Sequence, residues 1–75
     1  MSDKVLIFGK SGWPYTTSAR EAYDKQNREI EYIDVKASSG NLDQMLKYSD
    51  GTRKVPTIVD AGKVIIGFDG GTWGV

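Results

Sequence analysis

Trp13-Pro14-Tyr15-Thr16 sits where a short apolar strand, Val5-Leu6-Ile7-Phe8, has run through Gly9-Lys10-Ser11-Gly12 and a helix begins. The start of a helix carries unpaired N–H groups and a partial positive charge, so a thiolate or selenolate placed there is stabilised. Pro14 suits the first helical turn, where its missing N–H costs nothing, and it fixes the backbone just after residue 13. Residue 13 is nevertheless a tryptophan, and the chain contains no cysteine. The hydroxyls of Ser11, Thr16, Thr17 and Ser18 lie close by, but with no histidine in the sequence a base to activate one is missing. Capping of the helix by Ser11 or Thr16 is their expected use.

The bulk composition narrows the classes further. Ten basic and ten acidic residues cancel, which removes any bulk attraction to nucleic acid or an anionic membrane. A hydrophobic share of 39% with 27% charged residues belongs to a folded domain rather than a disordered one. Without cysteine or histidine there is no disulfide or zinc staple, so packing and hydrogen bonds must hold the fold. No apolar run approaches a membrane span and no signal-peptide pattern opens the chain. The expectation is a single domain over residues 1–75, cytoplasmic and monomeric, with no bound metal or cofactor.

The elements that must position these residues follow from periodicity, in the order β-α-β-α-β-β. The first strand covers 4–8. The helix from Pro14 to about Gln26 sets Tyr15, Ala19, Ala22 and Tyr23 on one face, leaving Arg20, Asp24 and Lys25 wet. Residues 29–35 alternate as a half-buried strand does. A polar residue of Ser38-Ser39-Gly40-Asn41 caps a second helix with an apolar stripe of Leu42, Met45 and Leu46, and Asp50-Gly51 ends it. Val55-Pro56 precedes a third strand, Thr57-Ile58-Val59, and Ala61-Gly62 turns it into Lys63-Val64-Ile65-Ile66. The remainder is too glycine-rich for a confident helix, so the tail is expected to be flexible from about residue 69, with Trp73 free to pack back.

Strand order, the strand–loop–Pro-Tyr–helix site and Val55-Pro56 before the third strand together resemble the thioredoxin fold, and within it the glutaredoxin family. Lys10 three residues before position 13, Pro14-Tyr15 in the middle of the site, and Gly67-Phe68-Asp69 after the last strand carry the likeness. The resemblance implies an α/β, thioredoxin-like (glutaredoxin) fold with a four-stranded mixed sheet and a truncated C-terminal helix. It also implies thiol–disulfide exchange, with position 13 as nucleophile and Pro14, Tyr15 and Thr16 shaping the site. Val55 and a cis Pro56 would then offer backbone groups to an extended peptide such as glutathione. Lys10, Arg53 and Lys54 would meet its carboxylates, and Asp69 with Gly70 its other charged end. Glutathione enters as a substrate, alongside a disulfide-bearing protein or a peroxide, and a reductant of the thioredoxin-reductase type is the other candidate electron donor.

Two tryptophans stand at unusual places, Trp13 at the attacking position and Trp73 third from the end of the sequence. The chain resembles small bacterial glutaredoxin-like selenoproteins that carry selenocysteine before Pro-Tyr-Thr and again near the C-terminus. The tryptophan codon UGG differs by one base from UGA, the selenocysteine codon. On that likeness Trp13 and Trp73 replace a selenium nucleophile and its resolving partner, and the chain as written is redox-inactive. The residues leave two alternatives open: a non-catalytic peptide- or glutathione-binding module, and an interaction protein that uses both indoles as an apolar contact.

Overall fold

The computed structural model describes residues 4–68 and 70–75. β1 (Val5–Gly9) lies in the middle of a four-stranded sheet, with β2 (Ile30–Asp34) on one side and β4 (Thr57–Asp60) then β5 (Lys63–Ile66) on the other. β1 pairs in parallel with β2 and antiparallel with β4, and β4 and β5 form a hairpin. A parallel neighbour requires a crossover, and α1 (Pro14–Lys25) supplies it. This is the α/β thioredoxin-like fold with a mixed sheet and two helices that the sequence implies.

Alternation along β1 divides the interior in two. Val5 and Ile7 join Ala19 and Ile58 in one buried cluster, while Phe8 joins Ile33, Val35, Met45, Val55 and Val59 in the other. α1 covers the first side. α2 (Ser39–Ser49) covers the second, its Leu42 and Leu46 packed against the cluster and Met45 fully inside it. Ser38 caps α2, its Oγ accepting from the Asn41 N–H at 3.1 Å, a bond that stabilises a helix by about 1 kcal/mol. At the other end Asp50 turns left-handed at φ 56° and the Gly51 N–H bonds to the Leu46 carbonyl at 3.0 Å.

The inward face of α1 differs from the periodicity expectation. Thr16 and Ala19 are its buried residues, whereas Tyr15 is 37% exposed. The cause is Gly9: a Cβ there would lie 2.3 Å from Thr16 Cγ2, so only glycine lets the first helical turn settle on the end of β1. That close approach turns Thr16 inward and Tyr15 outward. Thr16 therefore does not cap the helix as expected; the N-cap residue is Trp13, and no side chain makes the cap bond.

A second departure lies beyond the main sheet. Lys54–Val55 is a short strand, β3, and Trp73–Gly74 is another, β6, paired antiparallel with it. The tail, expected to be flexible, takes this paired position here. Around the β4–β5 hairpin, Ala61 and Gly62 at φ 51° and 85° form the tight turn the sequence predicts. Val64, Ile66 and Tyr48 stay exposed, so the sheet beside β5 is thinly covered.

Arg28 ties the chain between α1 and β2 to the end of β4. Its Nη1 donates to Asp60 Oδ2 at 3.3 Å and its Nη2 to Oδ1, with each side chain 24% exposed. The hydrogen bond from Arg28 holds the Asp60 carboxyl below its ordinary range; burial opposes this, and the Arg28 and Lys63 charges assist. A carboxyl whose folded pKa is depressed adds stability above its unfolded value, and that stability goes as pH falls through the folded value. Stability is expected to decline as pH drops below about 4. Asp60→Asn should flatten this acid limb in urea midpoints measured between about pH 5 and pH 2. An acid limb of unchanged slope in the variant would remove Asp60 as its source.

Candidate active site

The site forms where the loop after β1 meets the start of α1. Trp13 is extended at φ −88° and ψ 114°, and its carbonyl accepts from the Thr16 N–H at 3.1 Å and the Thr17 N–H at 3.4 Å. The helix dipole is therefore aimed at residue 13. The Val55–Pro56 peptide bond is cis, and the Pro56 carbonyl accepts from Gly67 N–H at 2.7 Å. Val55 is fully buried on the core beneath Trp13.

The two tryptophans, 60 positions apart in sequence, meet here. Their ring centroids are 4.9 Å apart with planes tilted by 56°, and Tyr15 packs on Trp13 at 5.4 Å. Lys10 Nζ lies 4.2 Å from the centroid of the Trp73 ring, a cation–π contact. Trp73 thus packs back, and each indole gives the other a neighbour. Trp73 still remains 46% exposed, and Trp13 is half-buried. The buried Trp13 Nε1–H and the buried Thr16 hydroxyl have no hydrogen-bond partner.

Among the other residues picked out from sequence, Arg53 is exposed and its Nε donates to the Val75 carbonyl at 2.6 Å. Lys54 is exposed on β3, and its carbonyl accepts from Thr57 Oγ1 at 2.8 Å. Pro14 is exposed at the helix start. Gly70 is exposed at φ 81° in the turn between Phe68 and Gly71, which exchange backbone hydrogen bonds. Asp69 lies outside the described residues. Lys10, Trp13, Tyr15, Arg53, Val55, Pro56 and Trp73 therefore gather at one place, while Thr16 turns away toward Gly9.

The seat of Gly71 on Tyr15 is a site contact that sequence reasoning missed. A Cβ on it would lie 2.3 Å from Tyr15 ring atoms, so the tail backbone rests flush on that ring. The double glycine was visible in the sequence; its partner, 56 positions earlier, was not. An open groove of about 530 Å³ between α1 and β2, lined by Thr17, Arg20, Glu21, Asp24, Ile30 and Tyr32, lies apart from this cluster. Among the described residues no group of three or more His, Cys, Asp or Glu could hold a metal ion, and no helix is long and apolar enough to cross a membrane.

A glutaredoxin family model matches residues 5–65, a stretch that includes the helix-start loop and the cis-proline. The chain belongs to the glutaredoxin family. The glutaredoxin grx-1 from Archaeoglobus fulgidus has a similar structure, with a TM-score of 0.71 and 20% sequence identity over 92% of this chain and 78% of that one. At this identity the likeness shows the fold alone. No curated protein matches the chain in sequence. The sequence contains no cysteine, so no thiol stands at this helix start.

Proposed function

We propose that this chain is the scaffold of a glutaredoxin-type disulfide exchange enzyme in which selenocysteine naturally occupies positions 13 and 73. With tryptophan at both positions it is redox-inactive. The observation that carries this reading is the meeting of residues 13 and 73 at the start of α1, with ring centroids 4.9 Å apart. The unpaired indole N–H of Trp13 supports it as well. A buried donor without a partner forfeits about 1–3 kcal/mol, a cost that a small selenol at position 13 avoids.

The chemistry would proceed by exchange. A selenolate at position 13 attacks a substrate disulfide; a selenium–sulfur bond forms, the S–S bond breaks, and the second sulfur leaves as a thiolate that takes up a proton. A selenolate at position 73 then attacks the selenium at 13, forming a diselenide and releasing the first substrate sulfur. Two electrons from two glutathione thiols, or from a reductant of the thioredoxin-reductase type, return both positions to the reduced state. Thr16 offers no thiol, so the resolving role falls to position 73. Lys10 and Arg53 supply cations for glutathione carboxylates, Val55 its backbone groups beside Pro56, and Asp69 with Gly70 the contacts to its amino end. Disulfide-bearing proteins and peroxides are the substrate classes.

The test is the pair of genomic codons for positions 13 and 73. UGA at both, in an organism with selenocysteine insertion machinery, is the expected result; UGG at both would sink the selenium reading. A non-catalytic glutathione- or peptide-binding module would then be the better account. The pairing of Val55 with an extended strand, flanked by Lys10 and Arg53, favours that second reading.

A further inference from the structure

β3 has one strand partner among the described residues, and it is the chain's own tail. The Val75 N–H donates to the Arg53 carbonyl at 3.0 Å, and Arg53 Nε returns a bond to the Val75 carbonyl. Two residues further along this antiparallel register Val55 faces Trp73, which makes them the next pair to exchange backbone hydrogen bonds. The Trp73 ring lies against Trp13 and Lys10, Val75 packs on the margin of the Phe8–Val55 core, and Gly71 rests on Tyr15.

From these contacts we infer that residues 72–75 form an autoinhibitory strand, a tethered occupant of the β3 edge that must leave before any extended ligand pairs with Val55. The exclusion follows from strand geometry. A residue in a strand directs its N–H and C=O to the same side, so the two Val55 groups that would hold an extended ligand are the two that Trp73 takes. The cations proposed for ligand carboxylates are engaged by the same segment, Lys10 by the Trp73 ring and Arg53 by the Val75 carbonyl.

The root of the tail is fixed independently of its end. Phe68 and Gly71 exchange hydrogen bonds at 3.1 and 2.9 Å, and Gly67 is bonded to Pro56. Residues 72–75 can therefore peel away while the four-stranded sheet and its root stay in place. A short tether keeps the strand at a high effective concentration, so even a weak pairing competes with free ligand.

The inference rests on the reading that the Val55 edge takes an extended ligand, with glutathione as the probe. The full chain is compared with Gly71→Val, whose new side chain meets the Tyr15 ring, and with Trp73→Ser, which changes an exposed residue and serves if the first variant fails to fold. Two signals are followed by NMR: exchange of the Val75 amide, and the Val55 amide shift on adding reduced glutathione. The parent should protect Val75 and the variants should lose that protection, while the glutathione concentration for half-maximal Val55 shift falls by about tenfold or more in the variants. A freely exchanging Val75 amide in the parent overturns the strand. Equal glutathione midpoints in parent and variants overturn the exclusion while the ligand site stands. No Val55 shift in any of them, with Val75 protection behaving as expected, overturns the ligand site and not the pairing.

Discussion

Trp13→Cys is expected to raise glutathione-dependent reduction of a mixed disulfide by about 100-fold or more over the unsubstituted chain, because it returns a chalcogen to a helix start. The frame needed for that reaction is already present: Pro14 at the first helical position, the dipole of α1 aimed at residue 13, and the cis Val55–Pro56 bond beside it. A thiol at such a helix start has its pKa lowered from about 8.5 into a range of about 3.5–7.5, so a large share is thiolate at neutral pH. Thr16 provides no second thiol, so the single variant should accumulate as a glutathione adduct visible by mass spectrometry. Adding Trp73→Cys should convert that adduct into an internal disulfide, with both thiols lost to titration on mild oxidation. If the single variant stays at the background rate with a thiol pKa near 8.5, the site does not activate a nucleophile. If the double variant keeps both thiols after oxidation, positions 13 and 73 do not meet in solution.

The largest loss of stability is expected from Phe8→Ala. Phe8 is fully buried, and its cluster contains Ile33 and Val35 from β2 and the segment after it, Met45 from α2, Val55 from β3 and Val59 from β4. Its ring also meets Tyr48 at 5.9 Å. Truncating such a side chain removes its transfer free energy and leaves a cavity, together about 3–5 kcal/mol. In a chain of 75 residues with no cysteine to form a disulfide, that is a large part of a total stability on the order of 5–15 kcal/mol. Urea unfolding should show a midpoint far below that of the parent, and the β3 edge should loosen with it because Val55 shares the cluster. A drop under about 1 kcal/mol would mean that this core collapses around the missing ring and that Phe8 does not hold the edge in place.

Between these two variants lies a contrast in what holds the site. Position 13 needs little from packing, since an exposed Pro14 and the helix start set its backbone. The β3 edge depends on packing from below, since two residues of strand have no stability alone. The peptide-facing half of the site is therefore the half that core substitutions reach.

Much of the fold was legible in the chain itself. Strands β1, β2, β4 and β5 announce themselves by alternation or by short apolar runs, Pro14 marks the start of α1, and Ser38 and Asp50-Gly51 bracket α2. These are local signals, carried by a residue's own preference and its near neighbours, and tertiary contacts had no reason to overrule them. The cis-proline was legible for another reason, as what the resemblance to the glutaredoxin family implies for Val55-Pro56.

Tertiary structure decided the rest, and in each case the deciding partner is far away in sequence or set by a close approach. Thr16 turned inward rather than capping the helix because Gly9 admits the first helical turn onto β1. Tyr15 left the predicted buried face and became the seat for Gly71. Glycine content alone marked the tail as flexible, yet residues 73 and 74 pair with Val55 and Lys54. Periodicity carries no information about such a pairing, because two-residue strands have no period. The sequence by itself determined the sheet, the helices and the chemistry missing at position 13. Only the tertiary structure set Trp73 against Trp13 at the edge of β3, because that meeting depends on backbone groups and ring faces separated along the chain and joined by the fold.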